Sequence, residues 1–443
     1  MFQCTIMAVR DAVIQQKSEY ESKREERYVD RSVTVSGLDS SLIRVITGPR
    51  RAGKSFFAIH HIAGTAKTGY VNFDDERLAG STDYDEIIDS VNSIYDNPTR
   101  LLFDEIQNLP RWELLVNRLA RQGYNLILTG SNSHMLSREL STHLTGRYLQ
   151  TTILPFSFSE YLTLQDQPIT STVKREHLAR YAEQGGFPEL LIKNLNGREY
   201  LGTLFDAIVY KDIVKRFHIR FAKGLDDLAV YLLSNVAQEY SYTTLSRVTR
   251  CRSVHTVQKY LGYLEEAYIF FSVPRFSYKF RNQVAENKKI YCIDNGFITA
   301  KAFRFSENRG RLLENLVAIE LKRRTLAGSA ELFFWKNVEQ EEVDFVVKQG
   351  TRIIELIQVC ADATDSRTRQ REVRALIKAG KELDCKNLVV LTENEEREET
   401  EEWFGIQGTI RFQPLWRWLL QSPEKNPEDL RGGSQNRKER SRK

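Results

Sequence analysis

A glycine-rich octapeptide near the N-terminus constrains the fold of this chain more than any other stretch. Residues 48–55 read Gly-Pro-Arg-Arg-Ala-Gly-Lys-Ser, between an apolar strand-like segment at 42–47 and an apolar helix-compatible segment at 56–62. The glycines allow a tight turn in which successive backbone N–H groups face phosphate oxygens at the start of a helix. Because both flanking segments are present, the pattern predicts a nucleotide-binding loop rather than a chance glycine-rich turn.

The loop also supplies the side chains that a nucleotide and its metal ion require. Lys54 brings a positive charge to the β- and γ-phosphates, and the hydroxyl of Ser55 is a ligand for Mg²⁺. The predicted phosphate-binding residues are Gly48, Pro49, Arg50, Arg51, Ala52, Gly53, Lys54 and Ser55. The loop therefore predicts binding of a nucleoside triphosphate together with Mg²⁺.

Two carboxylates end the apolar segment at 99–105, which has the character of a buried strand. Ligands of parallel sheets bind at the carboxyl ends of the strands, so these acids are predicted to face the phosphates. We assign Asp104 to the Mg²⁺ shell and Glu105 to orienting or activating the attacking water. Together with the phosphate loop, the pair predicts a nucleoside triphosphatase.

A further apolar segment at 125–132 also ends in polar side chains. Ser131 is predicted to sense the γ-phosphate or the attacking water, and Asn132 is the less favoured candidate for that role. Strands that alternate with helices at these lengths predict a parallel sheet of the α/β class.

The loop is one of several short motifs that together resemble a known family. The motifs lie at 47–55, 102–107, 128–131, 144–147, 155–161 and 185–189. In these stretches the chain resembles the AAA-type ATPases of archaea and bacteria that carry a C-terminal domain of unknown function. The resemblance implies ATP as the nucleotide, a helical lid after the sheet, and Arg147 as a contact to nucleotide in cis or from a neighbouring subunit of a homo-oligomer. A structural salt bridge is the alternative for Arg147.

The segment after the lid shows three helix-sized stretches across 225–267, followed by a predicted strand pair at 267–280. Helix, helix, helix and wing is the order of a winged helix-turn-helix, whose third helix enters the DNA major groove in DNA-binding examples. The basic residues that would meet phosphates are Arg247, Arg250, Arg252, Lys259, Arg275, Lys279 and Arg281. A net charge of +5 permits a nucleic-acid partner without requiring one, so a protein–protein spacer with a solvated basic face stays open.

The last third of the chain resembles the core of the restriction-endonuclease fold in its order of helix, three strands, helix and strand across 311–392. That chemistry needs an acid from the first helix, an aspartate from the second strand and Glu-x-Lys from the third, which hold divalent ions and activate water. Glu314 and Asp344 match the first two requirements. Gln358 and Cys360 stand where the third requires a carboxylate and an ammonium group.

A shift of register does not restore the third requirement, because Glu355 then brings Ile357 to the lysine position. Glutamine is also a poor replacement for a charged ligand of a hard cation. The sequence therefore predicts a domain without nuclease activity, in which Glu314 and Asp344 act structurally as caps or as partners of nearby lysines.

The predicted fold is an α/β P-loop domain of the AAA type with a helical lid, followed by a winged helix-turn-helix and an α/β restriction-endonuclease-like domain. The predicted divisions are an N-terminal helix at 1–30, the ATPase domain at 31–165, the lid at 166–222, the winged helix-turn-helix at 223–285, the endonuclease-like domain at 286–421 and a disordered basic tail at 422–443. The acidic run at 393–402 is predicted to be a solvated helix or loop.

Cysteine spacing and hydropathy set the expected environment of the chain. The five cysteines are far apart in the sequence, which favours reduced thiols over a disulfide framework or a zinc site. No stretch approaches the apolar length of a membrane span, and the first residues do not resemble a secretory signal. These features predict a cytoplasmic protein.

The sequence thus predicts an ATP-binding and ATP-hydrolysing switch or motor that acts on DNA or is regulated by it. Glu105, Lys54, Ser131 and Arg147 are its candidate catalytic residues, with ATP and Mg²⁺ as cofactors. One alternative is a DNA-binding regulator that uses ATP as a structural ligand. A less favoured alternative is an ATP-dependent nuclease.

Overall fold

The computed structural model describes most of the chain. The described residues are 2–33, 42–63, 67–79, 81–131, 146–165, 170–251, 253–279, 281, 283, 286–303, 309–328, 330–361, 366–403 and 405–421. Asn132, Arg252 and the predicted basic tail at 422–443 lie outside these residues.

The N-terminal half is built on a five-stranded sheet in which all strands run parallel, in the order β2-β3-β4-β1-β5. Strands β1 to β4 are almost entirely buried, as is typical of parallel sheets, whereas the edge strand β5 is partly exposed. The parallel α/β sheet predicted from the sequence is confirmed. The elements are β1 (Ile43–Thr47), α2 (Lys54–Phe57) with a π-helical turn (Ala58–Ala63), β2 (Thr68–Asn72), α3 (Tyr84–Ile94), β3 (Arg100–Asp104), α4 (Trp112–Arg121), β4 (Asn125–Gly130) and β5 (Tyr148–Thr152).

Helix α1 (Phe2–Glu25) precedes the sheet and is more deeply packed than its polar sequence indicates. Val9, Ala12 and Val13 are buried along one face. Gln16 is 2% exposed, and its side-chain amide exchanges hydrogen bonds with the backbone of Asn72. The helix is therefore part of the core of the nucleotide-binding half, and not only a surface element.

A group of short helices follows the sheet in the region predicted to be a lid. Its break at Gly185 brings the backbone against Asp294, since a Cβ added to Gly185 would lie 1.8 Å from the Asp294 carboxylate. The helices are α5 (Phe158–Leu162), α6 (Ser171–Gln184), α7 (Pro188–Ile192) and α8 (Gly197–Ala207), with a π-helical continuation (Ile208–Val214).

Among the described residues, the middle of the chain forms four helices and a three-stranded antiparallel sheet of order β6-β8-β7. The predicted strand pair at 267–280 is wrong, because the described residues of this range contain one strand, β7, whose partner β8 comes from the segment assigned to the next domain. An apolar run predicts a strand but does not indicate which sheet the strand joins. The elements are α9 (Ala222–Ser234), β6 (Gln238–Tyr240), α10 (Tyr242–Val248), α11 (Val254–Glu266), β7 (Phe270–Pro274), β8 (Lys288–Cys292) and α12 (Asn295–Lys301).

The C-terminal part is a mixed six-stranded sheet of order β13-β14-β12-β11-β10-β9. The acidic run at 393–402 was predicted to be a solvated helix or loop. Residues 393–396 are a loop, but the rest belongs to the edge strand β13, paired antiparallel with β14. Arg369 pairs with Glu399 and Glu401, which offsets the charge that argued against a strand. The elements are α13 (Arg309–Ala327), β9 (Ala330–Lys336), β10 (Glu342–Gln349), β11 (Arg352–Val359), α14 (Ser366–Glu382), β12 (Leu388–Thr392), β13 (Arg397–Trp403), β14 (Ile406–Pro414) and α15 (Leu415–Leu419).

The largest hydrophobic core runs through the lid, the middle helices and the C-terminal sheet, from Leu154 to Leu419. The parallel sheet has its own apolar clusters. Cys251, Cys292, Cys360 and Cys385 are buried free thiols, so no disulfide joins these four cysteines. None of the described helices combines the length and apolar character needed to cross a bilayer.

Candidate functional site

The phosphate loop joins β1 to α2 through two glycines in conformations that other residues rarely adopt. Gly48 has φ of 142°, and a Cβ added there would lie 2.0 Å from the carbonyl oxygen of Ile153. Gly53 has φ of 90°. The first turn of a helix leaves its N–H groups without partners inside the helix, so the loop presents donors where the chain turns. This cradle fits phosphate groups.

Lys54 lies across the loop and is 4% exposed. Its Nζ donates to the carbonyl oxygen of Pro49 at 3.0 Å and lies 3.7 Å from Glu105 Oε1. The ammonium group is therefore held between the loop and the end of β3, on the side of the sheet where the glycines turn.

Ser55 and Asp104 place two oxygen donors side by side. Ser55 Oγ donates to Asp104 Oδ1 at 2.8 Å, and Tyr70 donates to Asp104 Oδ2 at 3.0 Å. Burial and the neighbouring Glu105 raise the pKa of Asp104, while hydrogen bonds from Thr129, Ser55 and Tyr70 act in the opposite direction. A hydroxyl and a carboxylate are hard oxygen ligands that suit Mg²⁺, which also binds through phosphate oxygens and water.

Within the described residues no three His, Cys, Asp or Glu side chains gather as a metal-binding group. The Ser55 hydroxyl and the Asp104 carboxylate are two oxygen donors, a set that fits Mg²⁺ bound to a nucleotide. Sequence reasoning missed Tyr70 and Thr129, which hold the Asp104 carboxylate. The position of Thr129 near the end of β4 could have indicated this contact, because β4 is the neighbour of β3 in the sheet.

Glu105 follows β3 in a left-handed conformation, with φ of 50°, and turns its carboxylate toward the loop. Gln107 Nε2 lies 2.5 Å from Glu105 Oε2 and 3.4 Å from the hydroxyl oxygen of Ser131. Burial acts to raise the pKa of Glu105, but Lys54, Gln107 and Arg50 outweigh it and hold the pKa below its usual value. Glu105 is thus an ionised acceptor. Sequence reasoning did not single out Gln107.

Two arginines of the loop connect it to the lid and to the end of β2. Arg50 pairs with Asp212 of the π-helical turn at 3.3 Å and with Asp74 at 3.2 Å. Arg51 pairs with Glu189 of α7 at 3.4 Å. A movement of the loop would therefore alter ion pairs with two elements of the lid, the π-helical turn and α7.

Arg147 does not lie with the other predicted site residues. It immediately precedes β5, and its carbonyl oxygen accepts from the backbone N–H of Ile43 at the start of β1. The phosphate loop follows the other end of β1, beyond Thr47, which pairs with Thr152. This position does not bring Arg147 to the phosphate loop of the same subunit. Its contact to a nucleotide, in cis or from a neighbouring subunit, stays a prediction.

A second cluster of charged side chains lies in the C-terminal part. Lys289 of β8 pairs with Glu314 at 2.9 Å, Glu342 at 2.6 Å and Asp344 at 3.1 Å, and it is only 2% exposed. Burial acts to lower the pKa of Lys289, but Glu314 and the other acids hold it well above its usual value. Burial and Asp344 raise the pKa of Glu314 to about 7.

This arrangement matches the structural role that the sequence predicted for Glu314 and Asp344 as partners of a nearby lysine. Gln358 also lies beside Asp344, whose backbone N–H donates to Gln358 Oε1 at 3.1 Å. Sequence reasoning missed Lys289 because it comes from a strand outside the predicted endonuclease-like order. Lys289 thus brings an ammonium group from the middle sheet to these acids.

Comparison with known proteins matches three parts of the chain to family models. Residues 40–162 match a family model described as an AAA domain. Residues 175–308 and 309–411 match two domains of unknown function, DUF8612 and DUF4143. An uncharacterized protein of Methanocaldococcus jannaschii is 35% identical over 419 residues, which cover 90% of this chain and 93% of the relative. The chain belongs to the same family as this archaeal protein.

More distant relatives match shorter parts of the chain. An uncharacterized protein of Haemophilus influenzae is 29% identical and covers 71% of this chain and 82% of its own length. A second uncharacterized protein of Methanocaldococcus jannaschii is 27% identical over 35% of this chain and 38% of its own length. The phosphate loop, Asp104, Glu105 and Ser131 all lie inside the matched AAA domain.

Proposed function

We propose that the AAA domain binds ATP with Mg²⁺ and hydrolyses it, and that this cycle drives a switch or motor. The observation that carries the proposal is the meeting of Lys54, Glu105 and the Ser55–Asp104 pair at one edge of the parallel sheet. This is the edge at which α/β sheets bind their ligands.

Each side chain has one task in this reaction. Lys54 and the loop N–H groups bind the phosphates, while Ser55 and Asp104 hold Mg²⁺, which when bound neutralises charge on the β- and γ-phosphates. Glu105 is a half-buried carboxylate 3.7 Å from Lys54, and we assign it the role of accepting a proton from the attacking water. Ser131, 6% exposed and linked to Glu105 through Gln107, responds to the γ-phosphate.

The contacts of Arg50 explain how the nucleotide state would reach the rest of the chain. Phosphate groups in the loop compete with Asp212 and Asp74 for this guanidinium. Asp212 belongs to the π-helical turn of the lid, and the lid shares its hydrophobic core with the middle helices and the C-terminal sheet. Binding and hydrolysis of ATP therefore change the Arg50–Asp212 ion pair, which lies on a π-helical turn that packs into the shared hydrophobic core.

We further propose that the middle helices contact DNA. Their order with the three-stranded sheet is consistent with a winged helix-turn-helix. Helix α11 buries Val257, Leu261 and Leu264 and exposes His255, Gln258 and Lys259. Arg247 and Arg250 are exposed on the preceding helix and turn. A polar, basic face at the start of the third helix is what major-groove binding requires.

The ATPase proposal is tested by steady-state phosphate release from the full-length protein. We expect ATP-dependent release that rises when single-stranded, duplex or branched DNA is added, because the lid couples the two modules. Tight ATP binding without release would instead support the regulator in which ATP is a structural ligand. The nuclease alternative has less support, since Lys289 pairs with the acids that would hold its metal ions.

The DNA proposal predicts a salt-dependent loss of binding when the exposed basic face is neutralised. The double variant Arg247→Ala/Lys259→Ala should bind duplex DNA more weakly, with a slope of log K against log salt that falls by about 2, since each phosphate contact releases about one counterion. Fluorescence anisotropy across a salt series measures this. The matched control is Lys381→Ala/Lys386→Ala, which removes the same charge from exposed positions of the C-terminal part. Equal affinities for both double variants would place the DNA contact elsewhere.

A further inference from the structure

The side-chain amide of Gln107 joins the two residues assigned to the region of the γ-phosphate. Its nitrogen lies 2.5 Å from Glu105 Oε2 and 3.4 Å from Ser131 Oγ. The amide nitrogen donates to both of these oxygens, which leaves the amide oxygen for a different donor. The contact therefore fixes the orientation of the amide.

The other end of the same amide is buried and has no donor. Gln107 Oε1 has no hydrogen-bond partner among the described residues, although its neighbours are polar. A buried acceptor without a donor is destabilising and rare in native proteins, so it calls for an explanation. A donor that arrives with the substrate is the explanation that the position beside Glu105 favours.

The local backbone places the base and the amide together. Glu105 has a left-handed φ of 50° and begins the single 3₁₀ turn Ile106–Asn108, so Gln107 returns toward the carboxylate two residues earlier in the chain. The hydrogen bonds of its side chain go to Glu105 and Ser131. Gln107 is half-buried, and these polar contacts hold its side chain beside the two candidate site residues.

We propose that Gln107 positions the water that attacks ATP: its nitrogen holds Glu105, and its oxygen accepts a hydrogen from that water. This inference rests on the proposed ATP hydrolysis. In the reaction the water oxygen bonds to the γ-phosphorus, and the bond from that phosphorus to the bridging oxygen breaks with its electron pair going to ADP. One water proton passes to Glu105, which later releases it to solvent, and the other stays on the hydroxyl of the phosphate product.

The experiment compares full-length wild type, Gln107→Ala and the similar-sized Gln107→Met, with Gln122→Ala as a control at an exposed glutamine. For each protein we measure kcat for phosphate release, the Kd for ATP, and the Kd for ADP with aluminium fluoride, a mimic of the transferring phosphoryl group. Both Gln107 variants should lose about 10- to 100-fold in kcat, as expected when a positioning hydrogen bond is removed. Their Kd for ATP should stay within about threefold of wild type, while binding of the aluminium fluoride complex weakens in step with kcat.

The possible outcomes separate this inference from the ATPase proposal. Wild-type turnover with unchanged kcat in Gln107→Met overturns the inference and leaves the ATPase proposal standing. A parallel loss of ATP and aluminium fluoride binding would show a structural role and also overturn it. If wild type binds ATP without hydrolysing it, both proposals fail. Gln107→Met keeps the test valid if Gln107→Ala does not fold, since methionine preserves the side-chain volume without the hydrogen bonds.

Discussion

Replacing Glu105 with glutamine should leave ATP bound and reduce its hydrolysis by at least about 100-fold, the range expected when a general base is removed. Glutamine keeps the size of the side chain and an oxygen that accepts from Gln107, but it cannot take a proton from water. Lys54 lies 3.7 Å from the carboxylate and loses that competing charge, so affinity for the phosphates should stay equal or rise. Isothermal titration with ATP and a phosphate-release assay measure the two effects separately.

Lys54→Ala serves as the comparison, because it should lose ATP binding as well as turnover. Without the ammonium group the loop loses its point charge for the β- and γ-phosphates, so binding weakens and turnover disappears with it. Glu398→Gln, which removes a carboxylate from an exposed position on β13, should behave as wild type in both assays. Turnover by Glu105→Gln within twofold of wild type would show that another group activates the water.

The phosphate site was predictable because its signals are local in the sequence. The glycines, Lys54 and Ser55 lie within one octapeptide, and an apolar run ending in two acids needs only the rule for parallel strands to face it. The structure brings Ser55 to Asp104 and Lys54 to Glu105 as that rule implies. A lone glutamine or tyrosine has no such spacing, which is why Gln107 and Tyr70 went unnoticed.

Features that depend on which strands meet were beyond the sequence patterns. Arg147 was assigned by resemblance, yet β5 begins beside Ile43, at the end of β1 away from the loop. The acidic run is a strand because its side chains alternate between exposed and half-buried positions and Arg369 neutralises Glu399 and Glu401. Its composition hid that alternation. Lys289 was missed because β8 pairs with β6 and β7 and still delivers its side chain to the C-terminal acids.

The Lys289 cluster stabilises the junction between the middle sheet and the C-terminal part. One buried ammonium group faces three carboxylates, and Tyr291 adds a hydrogen bond to Glu314 at 2.8 Å. Removing one partner of a buried ion pair leaves charge without compensation, whereas replacing every member of such a group with apolar residues is often tolerated. The lysine is therefore the most sensitive member of the cluster, because all three acids depend on it.

Lys289→Met should lower the free energy of unfolding by about 3–5 kcal/mol at pH 7, the cost of leaving buried charges unpaired. Urea denaturation measures the loss, and Lys288→Met, at the half-buried neighbouring position on β8, is the matched control.

The pKa of Glu314 is already raised from 4.5 to about 7, so the folded state binds a proton more tightly than the unfolded state between these values. Stability linked to Glu314 is therefore present at low pH and lost as pH rises toward about 7. Lys289 opposes the rise in the pKa of Glu314, so without Lys289 the acid is protonated more readily. The loss in free energy of unfolding caused by Lys289→Met should therefore shrink as the pH falls from 7 to about 5. Equal stability of the two methionine variants at pH 7 would mean that the acids do not require Lys289.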